Sequence, residues 1–103
     1  MAIWSFISGQ IPLDSQYSKI VEGGIEAQTI QVMENLKSIL ESIDLTIDDV
    51  VKTSVFLSDL NDFQSINKVY CRYFEKNPPA CSTVQVSLIA RVLLEIDAIT
   101  KKN

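Results

Sequence analysis

Glu95 and Asp97 stand two residues apart in a run, Val92 to Ile99, whose other members are all apolar. The run alternates with period two. Val92, Leu94, Ile96 and Ala98 share one face of a strand, and Leu93, Glu95, Asp97 and Ile99 share the other. Burying a carboxylate without a partner costs roughly several kcal/mol, so two acids on one face of an apolar strand mark a place to look for chemistry. A carboxylate beside a cleft can orient a water molecule and take its proton. The sequence contains no histidine, which excludes Ser–His and Cys–His nucleophilic systems and zinc sites that use His. Its two cysteines, Cys71 and Cys81, have no CxxC spacing. Cys71 reads as a small buried apolar residue on a helix.

Cys81 lies in Pro78–Pro79–Ala80–Cys81–Ser82–Thr83–Val84–Gln85–Val86. The proline pair closes a preceding helix, because proline lacks the amide donor and biases its neighbour away from helix. Alternation then places Thr83, Gln85 and Ser87 on one face and Val84, Val86 and Leu88 on the other. Between this run and the next, Leu88–Ile89–Ala90–Arg91 contains none of the residues that favour a hairpin turn.

Upstream, Ile3–Ser8 is rich in β-branched and aromatic residues and reads as a strand stopped by Gly9. Turn chemistry follows in Pro12–Leu13–Asp14–Ser15, and Lys19–Ile20–Val21 reads as a short return strand. From Ile25 to Ile43 the stripe Thr29, Val32, Met33, Leu36, Ile39, Leu40 and Ile43 predicts a helix with a core-facing side. Thr46–Ile47–Asp48–Asp49 reads as a capped turn. Val50–Leu57 is apolar on both faces, as in a mid-sheet strand with helices on one side and a further layer, such as another subunit, on the other. Asn61 and Gln64 predict the cap of a second helix running to about Lys76, with Phe63, Ile66, Val69, Tyr70, Tyr73 and Phe74 as its core face. Asn67 and Tyr70, three apart, can present polar tips together. These elements predict an α+β sandwich with both helices on one face of the sheet.

The totals fit one domain, residues 1–103, with 47% apolar and 21% charged residues. A net charge of −4 argues against nucleic-acid and anionic-membrane binding, which need basic patches. No apolar run approaches the roughly 20 residues of a membrane span, and no secretory leader is legible. A cytoplasmic location with reduced thiols is therefore expected, without a Cys71–Cys81 disulfide.

The chain resembles the YjgF/RidA family of reactive-intermediate deaminases, also described as L-PSP-type ribonucleases. The matching stretches are Phe6–Leu13, Val21–Gly23, Ile25–Thr29, Asp49–Thr53, Val55–Leu57, Asn61–Phe63, Asn67–Phe74, Pro79–Ala80, Ser82–Val86 and Leu94–Ile99. They run in register through nearly the whole chain. The resemblance implies a chorismate-mutase-like fold with a mixed sheet. It also implies a homotrimer with sheets facing inward and small-molecule ligand clefts between subunits. The implied activity is hydrolysis of amino-acid-derived enamines and imines, such as 2-aminoacrylate, 2-iminobutanoate and 2-iminopropanoate, to 2-keto acids and ammonia. No metal or organic cofactor is implied.

Carried over position by position, the resemblance makes Glu95 the carboxylate that positions the attacking water, hence catalytic. It places Gly9, Asn67 and Tyr70 along the substrate-binding cleft, and Cys81 where the family has an arginine that clamps the substrate carboxylate. A thiol offers neither the fixed charge nor the bidentate fork of a guanidinium. Weak deaminase activity is therefore expected, with a non-catalytic, ligand-binding trimer as the alternative. The ribonuclease description ranks last, because the chain is acidic and has no histidine for general acid–base work. Two further departures are expected to matter. A preceding strand with a Gly–Pro–Tyr loop has no counterpart here. The family's Leu–Pro–Lys turn is replaced by Ile89–Ala90–Arg91, about one residue shorter, which leaves Arg91 as a cation that could reach the cleft.

Overall fold

The computed structural model describes residues 1–103. Strand β1 (Ile3–Gln10) leads through a loop to helix α1 (Gly24–Ser42). Strand β2 (Val50–Leu57), helix α2 (Phe63–Tyr73), strand β3 (Ala80–Gln85) and strand β4 (Leu94–Lys102) follow. The sheet has four strands in the order β1-β4-β2-β3. β4 runs antiparallel to both its neighbours, and β2 pairs with β3 in parallel. This is the α+β sandwich that the element order predicts, with the mixed sheet that the resemblance implies. None of its helices is long and apolar enough to cross a membrane.

Both helices pack on one face of the sheet, and the core lies between. Val32, Met33, Leu36 and Leu40 of α1 are fully buried against Leu94, Ile96 and Ala98 of β4 and Val55 and Leu57 of β2. Burial of each such aliphatic side chain contributes about 1.5–3 kcal/mol, which is why the i, i+3, i+4 stripe fixes the helix on this face. Gly23 opens α1 at φ 110°, a left-handed conformation that favours glycine. The helix closes through Leu45 N–H to Leu40 O (2.8 Å) and Asp44 N–H to Glu41 O (3.2 Å), with Asp44 left-handed at φ 63°. That is the paired 6→1 and 5→2 ending of many helices, and it buries Leu45 beside Leu40. Ile43, expected on the core stripe, is 48% exposed, because it lies beyond the last turn. Asp49 caps the next short turn, accepting from the Thr46 N–H at 2.9 Å.

Several expectations are corrected. Lys19–Val21 forms no strand. Ile20 makes a lone bridge to Leu13, and Asp14 Oδ1 organises the loop by accepting from the N–H groups of Gln16 and Tyr17 at 2.7 and 3.0 Å. Asn35 of α1 holds that loop by donating to the carbonyls of Ile11 and Leu13. The cap ahead of α2 is Asp59, which accepts from the Asn61 N–H at 2.9 Å and opens a 3-10 turn, so α2 begins at Phe63. It ends at Tyr73, three residues short of Lys76, with Pro78 and Pro79 leading into β3. Cys71 is exposed on α2, not buried.

β3 and β4 form no hairpin. They flank β2 on opposite sides, so their connection crosses the end of β2 and needs no tight turn. Leu57 O accepts from the Val86 N–H as the chain leaves β3, and Leu93 O accepts from the Ser58 N–H as it enters β4. The buried Gln28 accepts from the Leu93 N–H at 2.9 Å. Ala90 and Arg91 adopt left-handed φ values of 51° and 60°.

The other face of the sheet carries no helix. Trp4 and Phe6 of β1 are 53% and 75% exposed. Register places Phe6 beside Ile99, and Phe56 beside Val84. Large apolar groups exposed together on one sheet face form the kind of patch that interaction surfaces use.

Candidate functional site

Glu95 stands on the helix-free face of β4, half-buried, between the buried neighbours Leu94 and Ile96. Opposite it, β1 departs from regular pairing. Ile7 pairs with Ala98 while Gln10 pairs with Ile96, so an extra residue is accommodated at Ser8–Gly9. Such a bulge changes which face the following residue presents. It brings the Cα of Gly9 directly over the Glu95 carboxylate. A Cβ added to Gly9 would lie 2.6 Å from Glu95 Cδ and 2.8 Å from Cγ, and closer still to Oε2. Only glycine lets the carboxylate occupy that place. This contact links Gly9 to Glu95 through space, where the sequence offered only separate motifs.

Asp97, the second acid of the run, is engaged by the sheet itself, since its Oδ1 accepts from the Ser54 N–H at 3.1 Å. The two carboxylates therefore differ in role. Asp97 ties β4 to β2, and Glu95 makes no such bond to the neighbouring strand.

Asn67, Tyr70 and Cys81 meet elsewhere. They line a cavity of about 190 Å³ between α2 and β3, together with Val55, Phe63, Ile66 and Thr83. Parallel pairing of Thr53 with Cys81 and Val55 with Thr83 puts these side chains on the helix-bearing face. Tyr70 lines the cavity beside Asn67, and its hydroxyl is also tied to the sheet. The hydroxyl turns inward to Thr53 Oγ1 at 2.7 Å, and the ring packs on Phe74 with centroids 4.7 Å apart. Burial is the main cause that raises the Tyr70 phenol well above its ordinary range. The Thr53 hydrogen bond opposes this, and the Cys81 thiol adds to it. Tyr73, which donates to Glu34 Oε2 at 2.7 Å, is pushed up to about 12, first by burial and then by that bond. Asn67 Oδ1 accepts a weak bond from the Cys71 thiol at 3.7 Å. Cys81 Sγ lies 3.8 Å from Thr83 Oγ1.

The five candidate residues thus fall into two groups on opposite faces, with β2 between β4 and β3. Gly9 and Glu95 form one group; Asn67, Tyr70 and Cys81 form the other. Within one chain they share no pocket. Arg91 lies in the β3–β4 connection and is not among the residues of the cavity wall. No three His, Cys, Asp or Glu side chains converge as a metal ion would require. Sequence reading missed Val55 and Thr83 in the cavity wall and Thr53 as the partner of Tyr70. A signal existed for Thr53, because a hydroxyl on the buried face of a mid-sheet strand must find a partner.

A family model described as Endoribonuclease L-PSP matches residues 2–102. The chain is 48% identical over 99 residues to the RutC family protein SSO3206 of Saccharolobus solfataricus, covering 95% of this chain and 79% of that protein. Among solved structures, YEO7 of yeast superposes with a TM-score of 0.93 at 40% identity, covering 97% of this chain and 80% of that one. Escherichia coli TdcF with bound serine superposes with a TM-score of 0.91 at 38% identity, covering 97% of this chain and 81% of that one.

Proposed function

This chain belongs to the YjgF/RidA family, the group that the L-PSP model describes, and we propose that it hydrolyses reactive imines and enamines, slowly where they carry a carboxylate. The observation that carries this reading is the seating of the Glu95 carboxylate on the bare Cα of Gly9. A carboxylate fixed there accepts a proton from water as the oxygen attacks the imine carbon. Glu95 returns that proton to the imine nitrogen, giving a neutral carbinolamine; transfer of the carbinolamine hydroxyl proton to the nitrogen through the same carboxylate then expels ammonia and leaves the carbonyl, and an enamine first tautomerises to the imine. One water is consumed per ammonia released.

The helix-free sheet face, with Trp4, Phe6 and Phe56, is the surface on which further copies pack in this reading. A trimer then brings Glu95 and Gly9 of one copy to the Asn67–Tyr70–Cys81 cavity of the next. Cys81 in that wall is why the reaction is slow for amino-acid-derived substrates, since no guanidinium holds their carboxylate. The same observation supports the second reading, a trimer that binds small ligands without turning them over.

An amino-acid oxidase that generates imines supplies the test. Ammonia release by the native chain should run slightly above the uncatalysed rate. Gly9→Ala should remove that margin, because the new methyl displaces Glu95, and misplacing a catalytic group by about 1 Å costs on the order of 10²-fold. Unchanged circular dichroism would show that the fold survives. A Gly9→Ala chain as active as the native one would refute the role given to this contact.

A further inference from the structure

The cavity between α2 and β3 is uncharged. Its body is the side chains of Val55 and Ile66 and the rings of Phe63 and Tyr70. Its polar groups, on Asn67, Thr83 and Cys81, are all neutral amide, hydroxyl and thiol. The Tyr70 hydroxyl is already engaged by Thr53, and Asn67 Oδ1 accepts from the Cys71 thiol. The Asn67 amide therefore presents its N–H donors, and what it lacks is an acceptor. An apolar cavity of about 150 Å³ takes up benzene, so the ≈ 190 Å³ here holds a short branched body or a single small ring.

We propose that this cavity binds a small uncharged molecule carrying one carbonyl or imine acceptor on a short apolar body, in preference to the corresponding carboxylate. A neutral acceptor needs only the one or two neutral donors that the wall supplies. An ionised carboxylate entering the same wall loses its hydration and finds no cation. The chain's net charge of −4 adds to the disfavour of anions. This names the ligand class for the pocket invoked above. It rests on that reading only for the link to hydrolysis, because the cavity wall belongs to a single chain.

Isobutyramide and isobutyrate have the same shape and differ in charge near neutral pH. Each is titrated into the isotope-labelled protein while the methyl resonances of Val55 and Ile66 and the side-chain amide of Asn67 are followed. Isobutyramide should shift them at concentrations roughly tenfold or more below those isobutyrate requires, the scale of one charge-dependent contact. Cys81→Arg should reverse the order, and Thr83→Phe, which puts a ring into the cavity wall from an edge strand, should abolish the amide's shifts while the remaining spectrum stays dispersed. Isobutyrate binding as tightly as the amide, or neither compound moving these resonances, overturns the proposal. Amide binding that persists in a chain without hydrolytic activity leaves this inference standing and removes the catalytic one.

Discussion

Cys81→Arg will raise ammonia release from amino-acid-derived imines by roughly ten- to over a hundredfold, the equivalent of a charged hydrogen bond worth about 1.5–3 kcal/mol. Position 81 suits the change. It lies on β3 at the edge of the sheet, and its side chain is exposed at the cavity wall. The ≈ 190 Å³ beside it gives an arginine stem room against Val55 and Phe63. The guanidinium then supplies the fixed planar fork that a thiol lacks. The oxidase-coupled assay reads the effect directly. No gain, in a chain that keeps its fold, would favour the non-catalytic ligand-binding reading.

The second large effect is expected in that arginine-bearing background. Glu95→Gln should return the rate to the uncatalysed value, cancelling the whole of that roughly ten- to over a hundredfold gain, as expected where a positioned acid or base carries the chemical step. Glutamine keeps the length and packing of glutamate over Gly9 and removes only the charge and basicity, so substrate binding should change far less than turnover. A fall in binding with turnover per bound substrate unchanged would make Glu95 a packing residue. Asp97 is the natural internal contrast, since its oxygen is held by the Ser54 N–H.

Much of this arrangement was legible in the sequence because each element follows from a local period. The stripe from Thr29 to Leu40 places α1. The alternation from Val92 to Ile99 places β4 and sets Glu95 and Asp97 together on one face of it. What was not legible is what depends on pairing across the chain. The bulge at Ser8–Gly9 is set by how β1 meets β4, and alternation counted along β1 alone cannot reveal it. The missing hairpin turn at Leu88–Arg91 was a true signal with an unexpected meaning: β2 inserts between β3 and β4, so no turn is needed there. The inward rotation of Tyr70 follows from Thr53, seventeen residues away. Cys71 is exposed because α2 buries only the stripe of Ile66, Val69 and Tyr70. Glu95 stood out from the alternation, and Asn67 and Tyr70 from their spacing; Gly9, the meaning of Cys81 and the roles of all five came from resemblance, and their division between two faces came only from the fold.

That division is the centre of the account, and mixed oligomers test it most directly. A Cys81→Arg/Glu95→Gln chain carries the restored anchor without the carboxylate, and the native chain carries the carboxylate without the anchor. Each alone should be nearly inactive on a carboxylate-bearing imine. Unfolded together and refolded as mixed oligomers, they should release ammonia well above the sum of the two separate preparations, because some clefts then join arginine from one copy to Glu95 of another. A mixture no more active than that sum would contradict a site shared between copies.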